Sequence, residues 1–483
     1  MSFSVRSAIL TAIIACSFWL TGYHMDAQQP SEEPARSIVS VGPDGSGNWT
    51  VSYEFKNPQS VLAFVQSAND YRTATWSLQT NDARFGRVDG IDVIVFDRPA
   101  TKVSFSIIPL TSKLQGEPTP FVPFRDGGIA VHEGQLRVVP FASLSAVQGL
   151  KGDLLAAQRS PLPLAVRVSS ENSIIVRGEA TNGVAVHPIT GDGDYIYLGK
   201  GDIAATHGLS AVIDGTMPDW LAARLAKDVR DLTAELSERW GFALSEPLTL
   251  MAAYKGGDGR GLSAESSASG ASLMLELGGA GLSQPNSDTL AYLHWFIARS
   301  LMPLYQTENG ARLGGPSSGW IHKGGANTMA YQLVASKMDT GTQFLTSVYA
   351  GAFEECAHGL QSGPLETAWQ RGASDADYAC GSLIALATDG FLRRRDLYGF
   401  WNALTEWAAR SGDRTIDKAV YFTTLQLLGA TPGQRDMVRA IVEDELSNPR
   451  QNLTRMLASA GLSPKFDASG KLIALDLSAL QPG

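Results

Sequence analysis

Leu293-His294-Trp295-Phe296-Ile297-Ala298 lies in a segment whose apolar residues recur at helical spacing. Leu290, Leu293, Ile297 and Leu301 form one stripe that predicts a buried helix face. Ser287 is placed to cap the N-terminus, Asp288 suits the positive end of the helix dipole, and Pro303 predicts the end of the regular pattern. His294 and Ala298 stand one turn apart on a face that borders the stripe. That face has the geometry for two metal ligands, but only His294 offers a donor atom.

Outward from this helix the chain divides by period. Residues 37–205 read as all-β: Val51 to Phe55, Ile91 to Phe96, Val103 to Ile108, Leu136 to Val139 and Ser173 to Val176 are rich in β-branched and aromatic residues. Clusters such as Gly42-Pro43-Asp44-Gly45 separate them, and strands this short and frequent predict a β-sandwich. Residues 206–460 form a mainly helical domain. It opens with the helical pattern Leu221, Leu225, Val229, Leu232, Leu236 and a strand at Leu248 to Tyr254. The Gly/Ser-rich run from Gly256 to Ser272 reads as a loop or an edge strand. Residues 461–483 close the chain with a short strand or hairpin. The fold class is α+β, in more than one domain.

The chain has 483 residues, enough for a large core, and a net charge of −9 without a long basic run, which argues against a nucleic-acid partner. Residues 1–27 read as a signal peptide: Arg6 is followed by an apolar run from Ser7 to Tyr23, short for a membrane span of roughly 20 residues. Cleavage near Ala27, before a polar linker at 28–36, is one reading. The other is lipidation at Cys16, since Ile13-Ile14-Ala15-Cys16 has a lipobox pattern, although apolar residues continue beyond it. Either way the chain is expected to be exported, to a periplasm or cell envelope or beyond. Removal of the signal leaves Cys356 and Cys380, candidates for a disulfide between helical segments or for two buried thiols.

Five stretches in order resemble the glycyl aminopeptidase family of gluzincin metallopeptidases (metallopeptidase family 61). Trp49 to Pro58 is similar to the family's opening strand, and Tyr195-Ile196-Tyr197-Leu198-Gly199 to the end of its β domain. Gly261-Leu262-Ser263-Ala264 falls where the family has a G-L-E-H edge strand. The His294 stretch stands at HExxH, two zinc-binding His flanking a general base, and Trp320-Ile321-His322-Lys323-Gly324 at the segment carrying the third ligand. Tyr378-Ala379-Cys380-Gly381, with Leu383 to Arg393 after it, is similar to Y-x-K-G and its long helix. The resemblance implies a thermolysin-like domain after the β domain. It also implies that the zinc chemistry is gone: His294 alone matches a ligand, Trp295 replaces the base, and Ala298 and Lys323 replace ligands. A terminal PDZ domain, frequent in the family, has no room after residue 430.

On this reading no cofactor is expected. The Lys323 ammonium would occupy the space of the cation and pair with residual acidic groups. Gly261, Leu262, Ser263, His294, His322 and Tyr378 become candidates for a binding cleft. Its expected partner is a polypeptide or an envelope protein, and oligomeric state is open. The alternative is a hydrolase with a rebuilt site, for example His294 and His322 with a carboxylate such as Glu354 or Glu355 near His358. Otherwise His294 is a core histidine and His322 a surface one. Gly315-Pro316-Ser317-Ser318-Gly319 matches GxSxG but lacks a preceding strand and reads as a connection. Gly256 to Gly261 lacks a P-loop Lys and reads as a turn.

Overall fold

A computed structural model describes residues 36–114, 117–157, 159–206, 208–392, 396–477 and 480. The signal peptide, the linker as far as residue 35, the Cys16 expectation and Arg393 lie outside the described residues.

The β region is one eleven-stranded sheet that curls on itself, where short strands in a sandwich were expected. Its main strands are long: Trp49–Phe64, Ile91–Ile107 and Leu164–Val176. They bend rather than stop. In Trp49–Phe64 the register against Ile91–Ile107 shifts between Glu54 and Gln59, around Asn57-Pro58, where a proline cannot donate to the ladder. Before the bend this strand also pairs with Ser37–Pro43; after it, with Val138–Phe141. Each arm therefore faces a different part of one core, built around Tyr53, Phe64, Trp76 and Phe105. Arg72, fully buried, sits in that core on Asp92 at 3.0 Å with its guanidinium over Phe64.

A second, five-stranded sheet follows, with Ala204–Thr206, Leu209–Ile213, Leu248–Tyr254, Ser272–Gly278 and Ser263–Ser269 in that spatial order. The third and fourth strands are buried at every position, which explains why they are mostly apolar, with Thr249, Ser272 and Glu276 as polar exceptions. One face packs under the helices. The other carries Val212, Met251, Ala253 and Met274 against Phe124, Ile175, Tyr195 and Tyr197 of the curled sheet. Buried carboxylates pin this junction: Asp194 accepts from the Ala271 amide (2.8 Å), the Ser272 hydroxyl (3.1 Å) and Arg177 (2.8 Å). Asp214 accepts from the amides of Arg125 (2.7 Å) and Tyr254 (3.2 Å).

The helical half contains Asp219–Trp240, Ser287–Thr307, Gly319–Ala335, Gly341–Gly359 and Asp375–Leu392, then four further helices. In Ser287–Thr307, the His294 helix, Leu293, Ile297 and Leu301 are buried while Leu290 is half-buried. The cap is Asn286, whose side chain accepts from Thr289 N at 2.8 Å, one residue before the expected Ser287. Pro303 does not end the helix; it lies inside, and the helix runs on to Thr307. The missing amide costs one bond to a carbonyl four residues back, which burial of Leu304 and Tyr305 offsets. The GxSxG segment is a 3-10 turn at Pro316–Ser318 that leads straight into Gly319–Ala335, the Lys323 helix. Among the described residues no helix is long and apolar enough to cross a membrane.

Candidate functional site

The site is framed by a close approach between two helices. A Cβ on Gly324 would stand 2.1 Å from the carbonyl carbon of Gly381, and one on Gly381 would stand 2.2 Å from Trp320 O. Only glycine permits this contact. It sets the Lys323 helix against Asp375–Leu392, the Tyr378 helix, so that residue 323 meets residues 377 and 378. Cys380, beside Gly381, is bonded to Cys356 of Gly341–Gly359, with Cα atoms 4.7 Å apart.

Lys323 Nζ donates to Asp377 Oδ2 at 2.9 Å and lies 5.4 Å from the Tyr378 ring centroid. Asp377 is only 2% exposed; burial pushes its carboxyl above the usual range, and Lys323 opposes that. His322 is half-buried, not a surface residue, and burial beside Lys323 pushes its imidazole down to about 4, so it is neutral near pH 7.

The His294 helix contributes two different faces. His294 turns to Asp219–Trp240, where its Nε2 lies 3.3 Å from Asp228 Oδ2, and Asp228 also accepts from Arg224 at 2.7 Å. Burial raises the Asp228 carboxyl, but the His294 and Arg224 bonds outweigh it and hold the group below the usual range. Ala298 is fully buried in the core. The next face, Trp295 and Arg299, is the one that meets the other two helices. Trp295 stacks on Tyr331 of the Lys323 helix (5.6 Å between centroids, 9° between planes). The Arg299 guanidinium lies 5.2 Å from the Tyr378 centroid, on the same ring that Lys323 approaches. The motif positions are thus split: Trp295 and Lys323 stand at one cluster, while His294 is committed to Asp228. Arg299, Asp377, Tyr331 and Asp228 were not read from the sequence; an Arg four residues after Trp295 was the available signal for Arg299.

These side chains do not fit a zinc ion. Ala298 has no donor, Trp295 cannot act as a base, and a Lys323 ammonium bonded to Asp377 offers no lone pair. Among the described residues no group of three His, Cys, Asp or Glu is arranged to hold a metal, so His294, His322, Glu354 and Glu355 are not gathered into a rebuilt site. Glu354 is bound instead by Arg450.

The Gly/Ser-rich run is an edge strand, Ser263–Ser269, antiparallel to Ser272–Gly278. It follows a turn from Gly256 to Gly261 that is tied to Gly279, Ala280 and Gly281 by backbone bonds of 2.6 to 2.8 Å. Gly261 and Ser263 are exposed, Leu262 half-buried. The strand lies against the His294 helix through Ser266 and Ser300 hydroxyls 2.6 Å apart. Beyond its end opens a groove of about 490 Å³ lined by Ala268, Ser269, Leu244, Glu246, Leu304 and Glu308 among others. Of the cleft candidates, Tyr378 joins Lys323, Gly261 to Ser263 lie at the edge strand, and none lines this groove.

The fold is similar to that of an aminopeptidase N family protein from Idiomarina loihiensis, whose crystal structure superposes with a TM-score of 0.61 at 14% identity, over 89% of this chain and 79% of that one. Native yeast LTA4 hydrolase gives a TM-score of 0.48 at 9% identity, over 86% and 68%. The first likeness shows a shared fold: a curled sheet domain followed by a mainly helical one. No family model matches the chain, and no curated protein matches it in sequence.

Proposed function

We propose that the chain is a degenerate member of the glycyl aminopeptidase family, exported and without peptidase activity, which binds a polypeptide or envelope protein through the former substrate cleft. The observation that carries this reading is the Lys323–Asp377 bond beside the Trp295–Tyr331 stack. On this reading a self-satisfied pair and an aromatic wall stand where the resemblance expects a metal ligand and a base. A buried carboxylate that already has its cation is not free to bind another. Polypeptide binding is supported by the edge strand, which among the described residues pairs with a neighbour strand on one side only. Its other row of backbone groups can receive an extended peptide. Export accords with the Cys356–Cys380 bond, since such bonds persist in oxidising compartments. The thermolysin-like assignment of the helical half rests on the antiparallel edge strand lying against the motif helix.

Metal analysis of the purified chain, followed by aminopeptidase assays with and without chelator, tests the inactive reading. The expected result is substoichiometric zinc and no chelator-sensitive turnover. About one zinc per chain with turnover that chelator abolishes would overturn it.

A further inference from the structure

Arg299 is half-buried and lies against three rings, 5.0 Å from the Trp295 centroid, 5.1 Å from Phe296 and 5.2 Å from Tyr378. Rings attract a cation through their faces but offer no lone pairs to its five N–H donors. Among the described residues no carboxylate pairs with Arg299 and no oxygen accepts from it. The carboxylate of this cluster, Asp377, is bonded to Lys323, whose ammonium lies 5.4 Å from the same Tyr378 ring. Two cations therefore approach one aromatic ring while the one buried carboxylate pairs with Lys323, and the guanidinium fork is the uncompensated group.

Where the fork stands matters as much as its charge. Arg299 precedes Ser300, the residue at which the His294 helix touches Ser266 of the edge strand. Arg299 is thus one residue away from the contact between this helix and the edge strand. A planar two-oxygen anion matches a planar fork, and aromatic walls strengthen the pairing by limiting water.

We propose that Arg299, flanked by Lys323, is the anchor for a carboxylate of the bound polypeptide, either its C-terminus or an Asp or Glu side chain. This rests on the peptide-binding reading above and adds the group that is recognised.

Calorimetry with three N-acetylated apolar peptides tests it: one with a free C-terminus, the same peptide amidated, and the amidated peptide with one internal Glu. Wild type should bind one or both charged peptides about tenfold more tightly than the uncharged amide, and which one it prefers identifies the source of the carboxylate. Arg299→Gln should erase the preference, and Arg299→Lys should keep part of it. Acetate titration, read as the fluorescence difference between wild type and Trp295→Phe, probes the anion site without any peptide. Equal binding of all three peptides, unchanged in Arg299→Gln, would overturn the carboxylate anchor and leave the peptide-binding reading intact. An Arg299-dependent acetate response with no peptide binding would keep the carboxylate site and overturn the peptide-binding reading. No response to either overturns both.

Discussion

Lys323 shows how one residue can satisfy a buried carboxylate on a neighbouring helix. Its side chain is 28% exposed while that of its partner Asp377 is 2% exposed, so the carboxylate depends on the lysine more than the reverse. Lys323→Met should destabilise the chain by about 1–3 kcal/mol, less than loss of a fully buried pair. The effect has a sign in pH. Burial already raises the Asp377 carboxyl and Lys323 opposes it, so removing the lysine raises the folded value further. A raised folded value means stability is kept at low pH and lost as pH rises through it. Denaturant midpoints of Lys323→Met should therefore fall below wild type more at pH 8 than at pH 4; an equal deficit at both would contradict the pairing. Little of this was legible beforehand. The pattern exposed Lys323 as an oddity, and an acidic partner was expected, but Asp377 lies 54 positions away on another helix and nothing local marks it. His294 was legible as a ligand-type residue and illegible as the partner of Asp228, for the same reason.

At the scale of elements, periodicity read well where burial alone sets the pattern. Leu293, Ile297 and Leu301 were correctly placed on the buried face. It read less well where tertiary packing overrides local rules, as at Pro303, kept within its helix by the residues that follow it. The curl was hidden because Asn57-Pro58 looks like a strand end, yet the strand continues past it with shifted register. The contact between Gly324 and Gly381 was present in the sequence only as two glycines in separate motifs. Gly324→Ala should force the Lys323 and Tyr378 helices apart and cost about 1–3 kcal/mol or more, read as a lower thermal midpoint. A wild-type midpoint would mean that the helices separate without penalty.

For the whole molecule, the question is whether the curled sheet and the helical half unfold together. Their shared core is apolar, but Asp194 is the polar pin, accepting from Ala271, Ser272 and Arg177 while buried at 1% exposure. Asp194→Ala leaves the Ala271 amide and the Ser272 hydroxyl without their acceptor and removes the carboxylate from Arg177 Nε, while the guanidinium keeps Pro188 and Thr190, a loss of about 3 kcal/mol. Calorimetry should show a lower midpoint and a broadened or split transition. A single sharp transition at the wild-type midpoint would show that the apolar contacts alone couple the halves. Their order and composition were legible from strand-rich and helix-rich stretches, whereas the Asp194 pin joins residues 77 and 78 positions apart in a pattern no window of sequence displays.

The Gly324–Gly381 contact has one more implication. Because the helices touch through backbone, the distance between residue 323 and residues 377 and 378 is fixed by atoms that every amino acid possesses. A change of side chain at position 323 costs the pairing with Asp377 but leaves the spacing of the two helices in place. Such a mount separates where a group stands from what the group is, so a lineage could trade one chemistry for another there by single codon changes, and a protein engineer could use the same position as an interchangeable socket.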